Sequence, residues 1–457
     1  MSVSEPGKAL EAEITHWRSY LLRRRAIHAV DVDELEDHLR GQVAALVSAG
    51  LATDEAFLVA VKRMGDLDEL SREFAREHSE RLWKQLVVAP GSAPPTGTGR
   101  QETIVVVGLA VLSALAVKVP ELFGRELFGS SNTGFYPRNV SLFVLPFLTV
   151  YFAWKRRLDA VSLGWLALAF AAAALFANVF PLTPEGSTEV LTALHLPIAL
   201  WLAVGVAYVG GNWSNLSARM DFVRFSGELF IYYVLIAFGG AVLTGFTLAM
   251  FQSIGLDVEW LAQAWLLPCG AMGAVIIGAW LVEAKQSVIE NMAPVLTTLF
   301  TPMFTVVLLA FLITMVWTGS GIDVEREVLI GFDLLLVLVL GLLLYAVSAR
   351  DPQAAPNAFD ALQLLLVVSA LVVDGVALAA IAARISEFGF SPNKVAALGE
   401  NVVLLVNLSW SGWLYARFLR GRGSFAALER WQTAYLPVYA VWAGLVVVVF
   451  PPLFGYV

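Results

Sequence analysis

The chain has 457 residues, of which 58% are hydrophobic and 15% are charged, and its formal net charge is -8. An average soluble domain has roughly 25% charged residues, so this composition excludes an ordinary water-soluble globular protein. The acidic balance argues against direct binding of nucleic acid, and the single cysteine, Cys269, excludes an internal disulfide or a cysteine-rich metal cluster.

Residues 1–88 are predicted to form a small cytosolic domain of three or four amphipathic helices. Apolar residues recur at helical spacing near residues 8–26 and 32–49, and again after Thr53 and after Asp66, two polar residues that suit helix N-caps. The four histidines of this segment follow no standard metal-ligand spacing. We therefore predict no metal site, and nothing in the sequence calls for a cofactor.

Three consecutive arginines, Arg23, Arg24 and Arg25, lie at the end of the first predicted helix. Such a cluster is suited to contact with an acidic protein surface or with anionic lipid. These residues are the predicted partner-binding candidates of the domain. A merely solvated helix face is an equally open alternative.

Residues 89–102 are predicted to be a flexible linker, because the segment is rich in Pro, Gly, Ser and Thr and has no apolar periodicity. In residues 103–457, runs of about 18 to 25 apolar residues recur, each long enough to cross the hydrocarbon layer as a helix. The predicted fold is therefore all-α, a polytopic membrane bundle of about eleven transmembrane helices that follows the N-terminal helical domain. The spans are predicted at residues 103–119, 139–154, 160–180, 190–208, 228–252, 260–282, 293–317, 328–347, 361–383, 396–416 and 434–454.

The distribution of Lys and Arg predicts how these spans are oriented. No signal peptide precedes residue 103, so the N-terminus is predicted to be cytoplasmic, which places most of the basic loop residues on the cytoplasmic side. The C-terminus is then external, unless the short span at residues 139–154 is re-entrant.

A few polar side chains lie inside the predicted spans. A charged group in that position costs about 3 kcal/mol or more, so each one needs a partner or a water-filled cavity. His195, Asp333 and Asp374 lie roughly 8, 8 and 14 Å below the outer ends of their spans, at 1.5 Å per residue. For Asp374, the deepest, ion binding and helix packing are both open. Helix packing is the alternative for Asp333, and simple burial is the alternative for His195.

The densest group of polar residues surrounds the loop between the ninth and tenth predicted spans. Glu400 and Asn401 enter the tenth span by about 6 to 8 Å, and Asn407 lies near the middle of the membrane. Arg384 and Glu387 lie at the outer rim, where interfacial anchoring is the alternative function, as helix packing is for Asn407. Together with the three residues above, these five are predicted to line an outward-facing site for a small molecule or an ion.

Two aspartates on consecutive spans are also typical of intramembrane aspartyl proteases, in which paired carboxylates share a proton. Here the flanking sequences are GFDLL and VVDGV, without the Gly-x-Gly-Asp signature of that class. Phosphate-loop, His-Glu-x-x-His and Gly-x-Ser-x-Gly motifs are also absent from the sequence. We therefore predict a protein without enzymatic activity.

Residues 31–78 resemble the permease-prefix domain of bacterial membrane proteins, a helical signalling module also described as PadR-associated or HAAS-like. The resemblance indicates a cytosolic adaptor. It covers about a tenth of the chain. The matching positions are Glu34, Leu35, His38, Leu39, Gly50, Leu51, Glu55, Ala56, Phe57, Arg63, Met64, Gly65, Leu70, Glu73 and Phe74.

The segment RISEFGFSPNK, residues 384–394, resembles a recurrent Arg-Ile-x-Glu-x-Gly-x-x-Pro-Asn-basic segment of the bacterial membrane family called domain of unknown function 4153. The closing segment YLPVYAVWAGLVVVVFPP is also similar to that family. Members of the family typically lack the N-terminal helical domain, so the combination is a departure. The resemblance implies a location in the bacterial inner (cytoplasmic) membrane and supplies no activity.

These observations favour a non-enzymatic membrane sensor or regulator, in which an outer-half site controls what a cytosolic adaptor presents. A ligand changes that output only if it interacts differently with two membrane conformations. The alternative is a secondary transporter in which Asp374 or Asp333 carries a proton or an ion. The expected partners are the lipid bilayer, a cytosolic regulatory protein bound through residues 1–88, and a small molecule or ion in the outer half of the bundle.

Overall fold

The computed structural model describes residues 10, 14, 29–48, 51–63, 97–125, 127, 134–253, 256–284, 292–318 and 326–457. Within these ranges the chain is helical and contains no strand, which confirms the predicted all-α fold. The described residues divide into two compact units: an N-terminal unit that ends at Gly97 and a membrane unit that begins at Thr98.

Helices account for nearly all of the described residues. A 3-10 turn at Val119–Phe123 follows the helix Gly97–Ala116, and the helix Glu259–Ala284 contains a π-helical turn at Ala262–Leu266. Because the helix Gly97–Ala116 includes residues 97–102, the last part of the segment predicted to be a linker is helical. In chain order the helices are α1 (Ala29–Ser48), α2 (Thr53–Arg63), α3 (Gly97–Ala116), α4 (Phe135–Lys155), α5 (Ala160–Val179), α6 (Ser187–Tyr208), α7 (Leu216–Ser253), α8 (Glu259–Ala284), α9 (Met292–Thr318), α10 (Arg326–Ala349), α11 (Ala358–Phe388), α12 (Pro392–Leu419), α13 (Phe425–Val448) and α14 (Phe450–Leu453).

In the N-terminal unit, α1 and α2 lie where the second and third helices are predicted. Leu39 and Val43 of α1 belong to the same buried apolar cluster as Ala56 and Ala60 of α2. The small side chains on α2 allow the two helices to approach closely. This arrangement follows from the apolar stripe that each helix presents at a spacing of three or four residues.

Other predictions for this unit lie outside the described residues. They include the helix predicted after Asp66 and most of the helix predicted near residues 8–26, of which only residues 10 and 14 are described. Arg23, Arg24 and Arg25 also lie outside the described residues, so their partner-binding role stays a prediction.

Ten of the described helices, α3 and α5 to α13, are long and apolar enough to cross a membrane. Their outward surfaces are compatible with contact with a lipid bilayer, as α7 illustrates. Phe230 and Phe238 on α7 are each 70% exposed, and Phe246 is 68% exposed. Large aromatic side chains at this exposure form the kind of apolar surface that soluble monomers avoid.

α4 is not among these ten helices, although its 21 residues cover about 31 Å at 1.5 Å per residue. Arg138 near its start contacts Glu189 at the start of α6, with Nη1 2.6 Å from Oε1. Lys155 at its end contacts Glu102 at the start of α3, with Nζ 2.8 Å from Oε1. α4 therefore runs the length of the bundle, and each of the eleven predicted spans coincides with a helix.

The two ends of the membrane unit differ in charge. At one end, Arg156 contacts Glu283 at the end of α8, and Arg224 donates to the carbonyl oxygen of Ser348 at the end of α10. We call this the basic end. The opposite end, where the first residues of α6 and α12 are hydrogen-bonded to each other, is called the distal end. Basic residues at or near the basic end include Lys155, Arg156, Arg219, Arg224, Arg350, Arg417, Arg420, Arg422 and Arg430.

Two large buried apolar clusters and one smaller cluster form the interior of the described membrane unit. The first lies mainly among α3 to α8 and contains Phe152 and Phe225, whose ring centroids are 5.3 Å apart. The second lies mainly among α9 to α13 and contains Leu336, Leu366 and Leu408 on α10, α11 and α12. The second cluster holds these three helices against one another, so polar side chains on their facing sides are brought close together.

Candidate functional site

α11 and α12 form a helical hairpin whose turn lies at the distal end. Gly389 ends α11 with a φ of 74°, a left-handed value that glycine adopts without strain. Pro392 begins α12, where the missing N–H group of proline has no helical partner to lose. Lys394 Nζ donates to the carbonyl oxygen of Gly389 at 2.7 Å and so places a positive charge at the C-terminal end of α11.

The hairpin and α10 bring four of the predicted site residues into one region, which we call the acidic cluster: Asp333, Asp374, Glu400 and Asn401. Asp333 on α10 interacts electrostatically with Asp374 on α11 and with Glu400 on α12. Asn401 Nδ2 donates to Asp333 Oδ1 at 2.7 Å and to the carbonyl oxygen of Ala397 at 2.8 Å. The cluster therefore joins three neighbouring helices through carboxyl and amide groups.

Asp374 is the most completely enclosed member of the acidic cluster. Its exposed fraction is 0%, and neither carboxyl oxygen has a hydrogen-bond partner in the described part of the chain. Ser369, the nearest hydroxyl on the same helix, donates to the carbonyl oxygen of Leu365 at 2.8 Å. An ionised carboxylate without water or a partner is strongly unfavourable in such surroundings.

Asn401 adds a further open acceptor to the cluster. Its side chain is fully buried, and its Oδ1 atom has no partner among the described residues. With the two oxygens of Asp374, the cluster therefore has three buried oxygen atoms without a hydrogen-bond partner among the described residues. Among the described residues, no group of three or more His, Cys, Asp or Glu side chains is arranged to hold a metal ion. The open oxygen atoms of the cluster therefore remain available to a proton or a hydrogen-bond donor.

Asn407 lies in a separate and fully paired network. Its Nδ2 donates to Gln432 Oε1 at 3.1 Å, and Gln432 Nε2 donates back to Asn407 Oδ1 at 3.2 Å. Gln432 Nε2 also donates to Ser411 Oγ at 2.6 Å. This reciprocal amide pair joins α12 to α13, which is the geometry that the helix-packing alternative predicts for Asn407.

The remaining predicted site residues also lie apart from the acidic cluster. His195 is buried on α6, where its Nδ1 lies 2.9 Å from the carbonyl oxygen of Leu191, one turn earlier. Arg384 is half-buried and Glu387 is exposed, near the end of α11. Arg384 follows Asp374 by ten residues, which is about 15 Å along the helix. Arg384 and Glu387 therefore belong to the turn of the hairpin and not to the acidic cluster.

The structure also contains a buried ion pair that the sequence did not single out. Arg350 Nε and Nη2 donate to the two carboxylate oxygens of Asp360 at 2.7 and 2.9 Å. The guanidinium carbon lies 4.8 Å from the ring centroid of Phe418 and 4.4 Å from that of Phe425. A sequence signal for this pair exists, because a basic and an acidic residue occupy the facing ends of two spans joined by a short loop.

Comparison of the chain with protein-family models, curated proteins and solved structures gives no match. The resemblances noted for residues 31–78 and 384–394 therefore stay predictions.

Proposed function

We propose that this protein is a non-enzymatic sensor or regulator of the bacterial inner membrane that binds a proton at Asp374. The observation that carries the proposal is the enclosure of Asp374, whose two carboxyl oxygens have no partner in the described structure. An unpaired buried polar group destabilises the fold, so ionisable residues inside membrane helices usually have a function that offsets this cost. Reversible protonation is the simplest such function for Asp374.

Loss of the proton is proposed to drive a change in the packing of α10, α11 and α12. An ionised Asp374 next to Asp333 adds like-charge repulsion to the cost of burial. The ionised state therefore favours any arrangement of the three helices that admits water or separates the carboxylates. The closed packing of the three helices and the packing that admits water bind the proton with different affinities. The proton therefore shifts the equilibrium between them as any ligand does.

The N-terminal unit is the proposed output of the sensor. It is a compact unit of its own, and residues 31–78 resemble a bacterial signalling module. In the proposed orientation, the basic end and this unit face the cytosol, and the distal end faces outward, in agreement with the bias of Lys and Arg toward the cytoplasmic side. A cytosolic regulatory protein bound through residues 1–88 then receives the signal.

Infrared difference spectroscopy across a pH titration tests the proton site. A neutral carboxylic acid has a C=O stretching band distinct from the bands of a carboxylate, so deprotonation of Asp374 removes intensity from the acid band. We expect this change in the wild type and its loss in Asp374→Asn. Asp257→Asn, which alters an exposed aspartate, serves as the matched control and is expected to leave the change intact. Identical spectra in wild type and Asp374→Asn contradict the proposal.

Hydrogen exchange of the full chain tests the connection to the N-terminal unit. The amide Asn cannot ionise, so Asp374→Asn mimics the protonated state at every pH. We expect the exchange of α1 and α2 to match between wild type and variant at low pH and to diverge as the pH rises. Equal exchange at every pH, in a protein whose infrared titration is normal, would leave the proton site intact and remove the sensor function.

A secondary transporter is the second candidate, and one observation favours it. Three carboxyl groups, those of Asp333, Asp374 and Glu400, lie on three adjacent helices and interact electrostatically. A single proton sensor needs only one of them, whereas a proton pathway uses several in series. Liposomes that contain the full chain and a trapped pH indicator distinguish the two candidates. Proton flux in wild-type liposomes that is lost with Asp374→Asn supports transport. Wild-type liposomes that remain impermeable to protons support the sensor.

A further inference from the structure

Three tryptophans border an apolar groove on the outer surface of α12 and α13. The ring centroids of Trp410 and Trp413 are 4.6 Å apart, and those of Trp410 and Trp431 are 5.7 Å apart. Trp410 and Trp413 remain 46% and 45% exposed, so their rings are available to a molecule outside the protein. The groove has a volume of about 480 Å³ and is lined by Leu405, Val406, Ser409, Trp410, Trp413 and Trp431.

Contacts within the protein hold two walls of the groove in place. Trp431 Nε1 donates to the carbonyl oxygen of Asn407 at 3.3 Å, and the guanidinium carbon of Arg417 lies 4.7 Å from the ring centroid of Trp413. A preformed site binds its ligand with a smaller loss of side-chain freedom. The groove can therefore accept a flexible hydrocarbon chain without rearranging its aromatic walls.

The face of α12 that carries the groove changes from apolar to cationic along its length. Val406, Trp410, Trp413, Arg417 and Arg420 follow one another at spacings of four, three, four and three residues, so they lie on one side of the helix. Trp413 lies about 9 Å before the last residue of α12, at 1.5 Å per residue, and α12 ends at the basic end. A phospholipid has the same order, with an apolar chain followed by a charged headgroup.

The arginines next to the groove carry a positive charge that the described carboxylates do not compensate. Arg417, Arg420 and Arg422 are exposed, and none of them forms an ion pair among the described residues. Arg417 Nη2 donates to the carbonyl oxygen of Arg422 at 2.9 Å, which directs Arg417 toward the turn before α13. A guanidinium group matches the geometry of a phosphate, so this charge favours an anionic headgroup.

We propose that the groove and the adjacent arginines bind an anionic phospholipid. One acyl chain packs against the three tryptophans, and the headgroup phosphate lies at Arg417 and Arg420. A zwitterionic lipid adds a cationic group that these arginines repel, and a free phosphate leaves the groove empty. The bound lipid contacts both α12 and α13, and the proposal does not depend on proton binding at Asp374.

Native mass spectrometry of the delipidated full chain in detergent tests the headgroup preference. Phosphatidylglycerol and phosphatidylcholine with identical acyl chains are titrated separately. Each arginine near a membrane surface strengthens the binding of an anionic lipid about fivefold, so we expect phosphatidylglycerol to bind at least about tenfold more tightly. Equal affinities overturn the proposal, because the tryptophans are then interfacial anchors that contact any lipid.

Two further measurements test the groove. Glycerol 3-phosphate has the anion but no acyl chain, and we expect an equal concentration of it to leave phosphatidylglycerol bound. Ser409→Phe fills the groove and keeps every arginine, and we expect it to weaken the binding of both lipids at least about fivefold through lost contacts with the acyl chain. Displacement by glycerol 3-phosphate, or an unchanged affinity of Ser409→Phe for phosphatidylglycerol, overturns the role of the groove.

Arginine variants assign the headgroup to this end of α12. Arg417→Gln and Arg420→Gln each remove one charge, and we expect each to weaken the binding of phosphatidylglycerol about fivefold and to leave that of phosphatidylcholine unchanged. Arg157→Gln removes an exposed arginine from the turn between α4 and α5 and serves as the matched control, with unchanged affinity. Undiminished preference for phosphatidylglycerol in both α12 variants overturns the assignment, as does an equal loss in Arg157→Gln.

Discussion

Asp360 and Asp374 lie on the same helix, α11, and are both almost completely buried, yet their surroundings are opposite. Asp360 accepts hydrogen bonds from the Arg350 guanidinium and from the Asn357 backbone, whereas Asp374 has no partner in the described chain. A fully paired carboxylate helps to specify the fold, but an unpaired one costs stability. Burial alone therefore does not distinguish these two acids. The presence of a hydrogen-bond partner among the described residues does.

The largest effect is expected from removing the partner of Asp360. Arg350→Met leaves a buried, ionised carboxylate without compensation, and we expect it to lower the free energy of unfolding by about 3 to 5 kcal/mol. Reversible unfolding in detergent measures the loss. Arg430→Met, at an exposed position of the basic end, is the control. The double variant Arg350→Met with Asp360→Leu is expected to recover much of the loss, and an unchanged stability of Arg350→Met contradicts the assigned role of Asp360.

A smaller loss is expected at Asn407, which is paired in the way that Asp360 is paired but carries no charge. Asn407→Leu leaves Gln432 Oε1 buried without its donor, while Gln432 Nε2 keeps its hydrogen bond to Ser411. We expect a loss of about 1 to 3 kcal/mol in the free energy of unfolding. Replacing both residues, with Gln432→Met added, is expected to restore most of it, because no unpaired amide then remains. A double variant less stable than the single one contradicts the pairing.

Asp374 is expected to respond in the opposite direction. Asp374→Leu removes an unpaired buried carboxyl, so we expect the free energy of unfolding to rise by about 1 to 2 kcal/mol while the infrared signal of deprotonation disappears. If Asp374→Leu gains stability and loses proton binding, Asp374 contrasts with Asp360, whose loss of its partner is expected to lower stability. A loss of stability as large as that of Arg350→Met shows instead that Asp374 has a structural partner.

The smallest effect is expected at the turn of the hairpin. Lys394→Met removes the positive charge beside the carbonyl oxygen of Gly389, and we expect a loss of about 0.3 to 1 kcal/mol. Hydrogen exchange of the last turn of α11 measures it locally. We expect the titration of Asp374 to remain unchanged, since Lys394 contacts the turn. A shifted titration shows that the turn and the acidic cluster act as one site.

Helix positions were accessible from the sequence because each span is a continuous apolar run. α1 and α2 also lie where amphipathic spacing and the N-cap residue Thr53 predict them. The sequence predicted one outward-facing site of eight residues, and Asp333, Asp374, Glu400 and Asn401 are the four of them that lie together. Short loops make consecutive helices neighbours, so similar depth places residues at the same level of the bundle, but it does not decide which of them face each other.

Side-chain partners were not accessible, because the rotation of a helix about its axis decides them. Asn407 and Gln432 are 25 residues apart, and nothing in the spacing of either span indicates that the two amides face each other. The same holds for Gln363, whose Nε2 donates to a hydroxyl 62 residues away. The absence of a partner for Asp374 among the described residues is likewise a property of its neighbours rather than of its own segment.

The polar start of α4 has a consequence for how the protein is made. Arg138 depends on Glu189 of α6, and the side chains of Asn139 and Asn178 of α5 exchange hydrogen bonds. During synthesis α4 leaves the ribosome before either partner exists, so its polar first turn enters the translocon without Glu189 or Asn178 to pair with. We therefore expect α4 to be held at the membrane surface or beside the translocon until α5 and α6 arrive, and the three helices to enter the bilayer as a group.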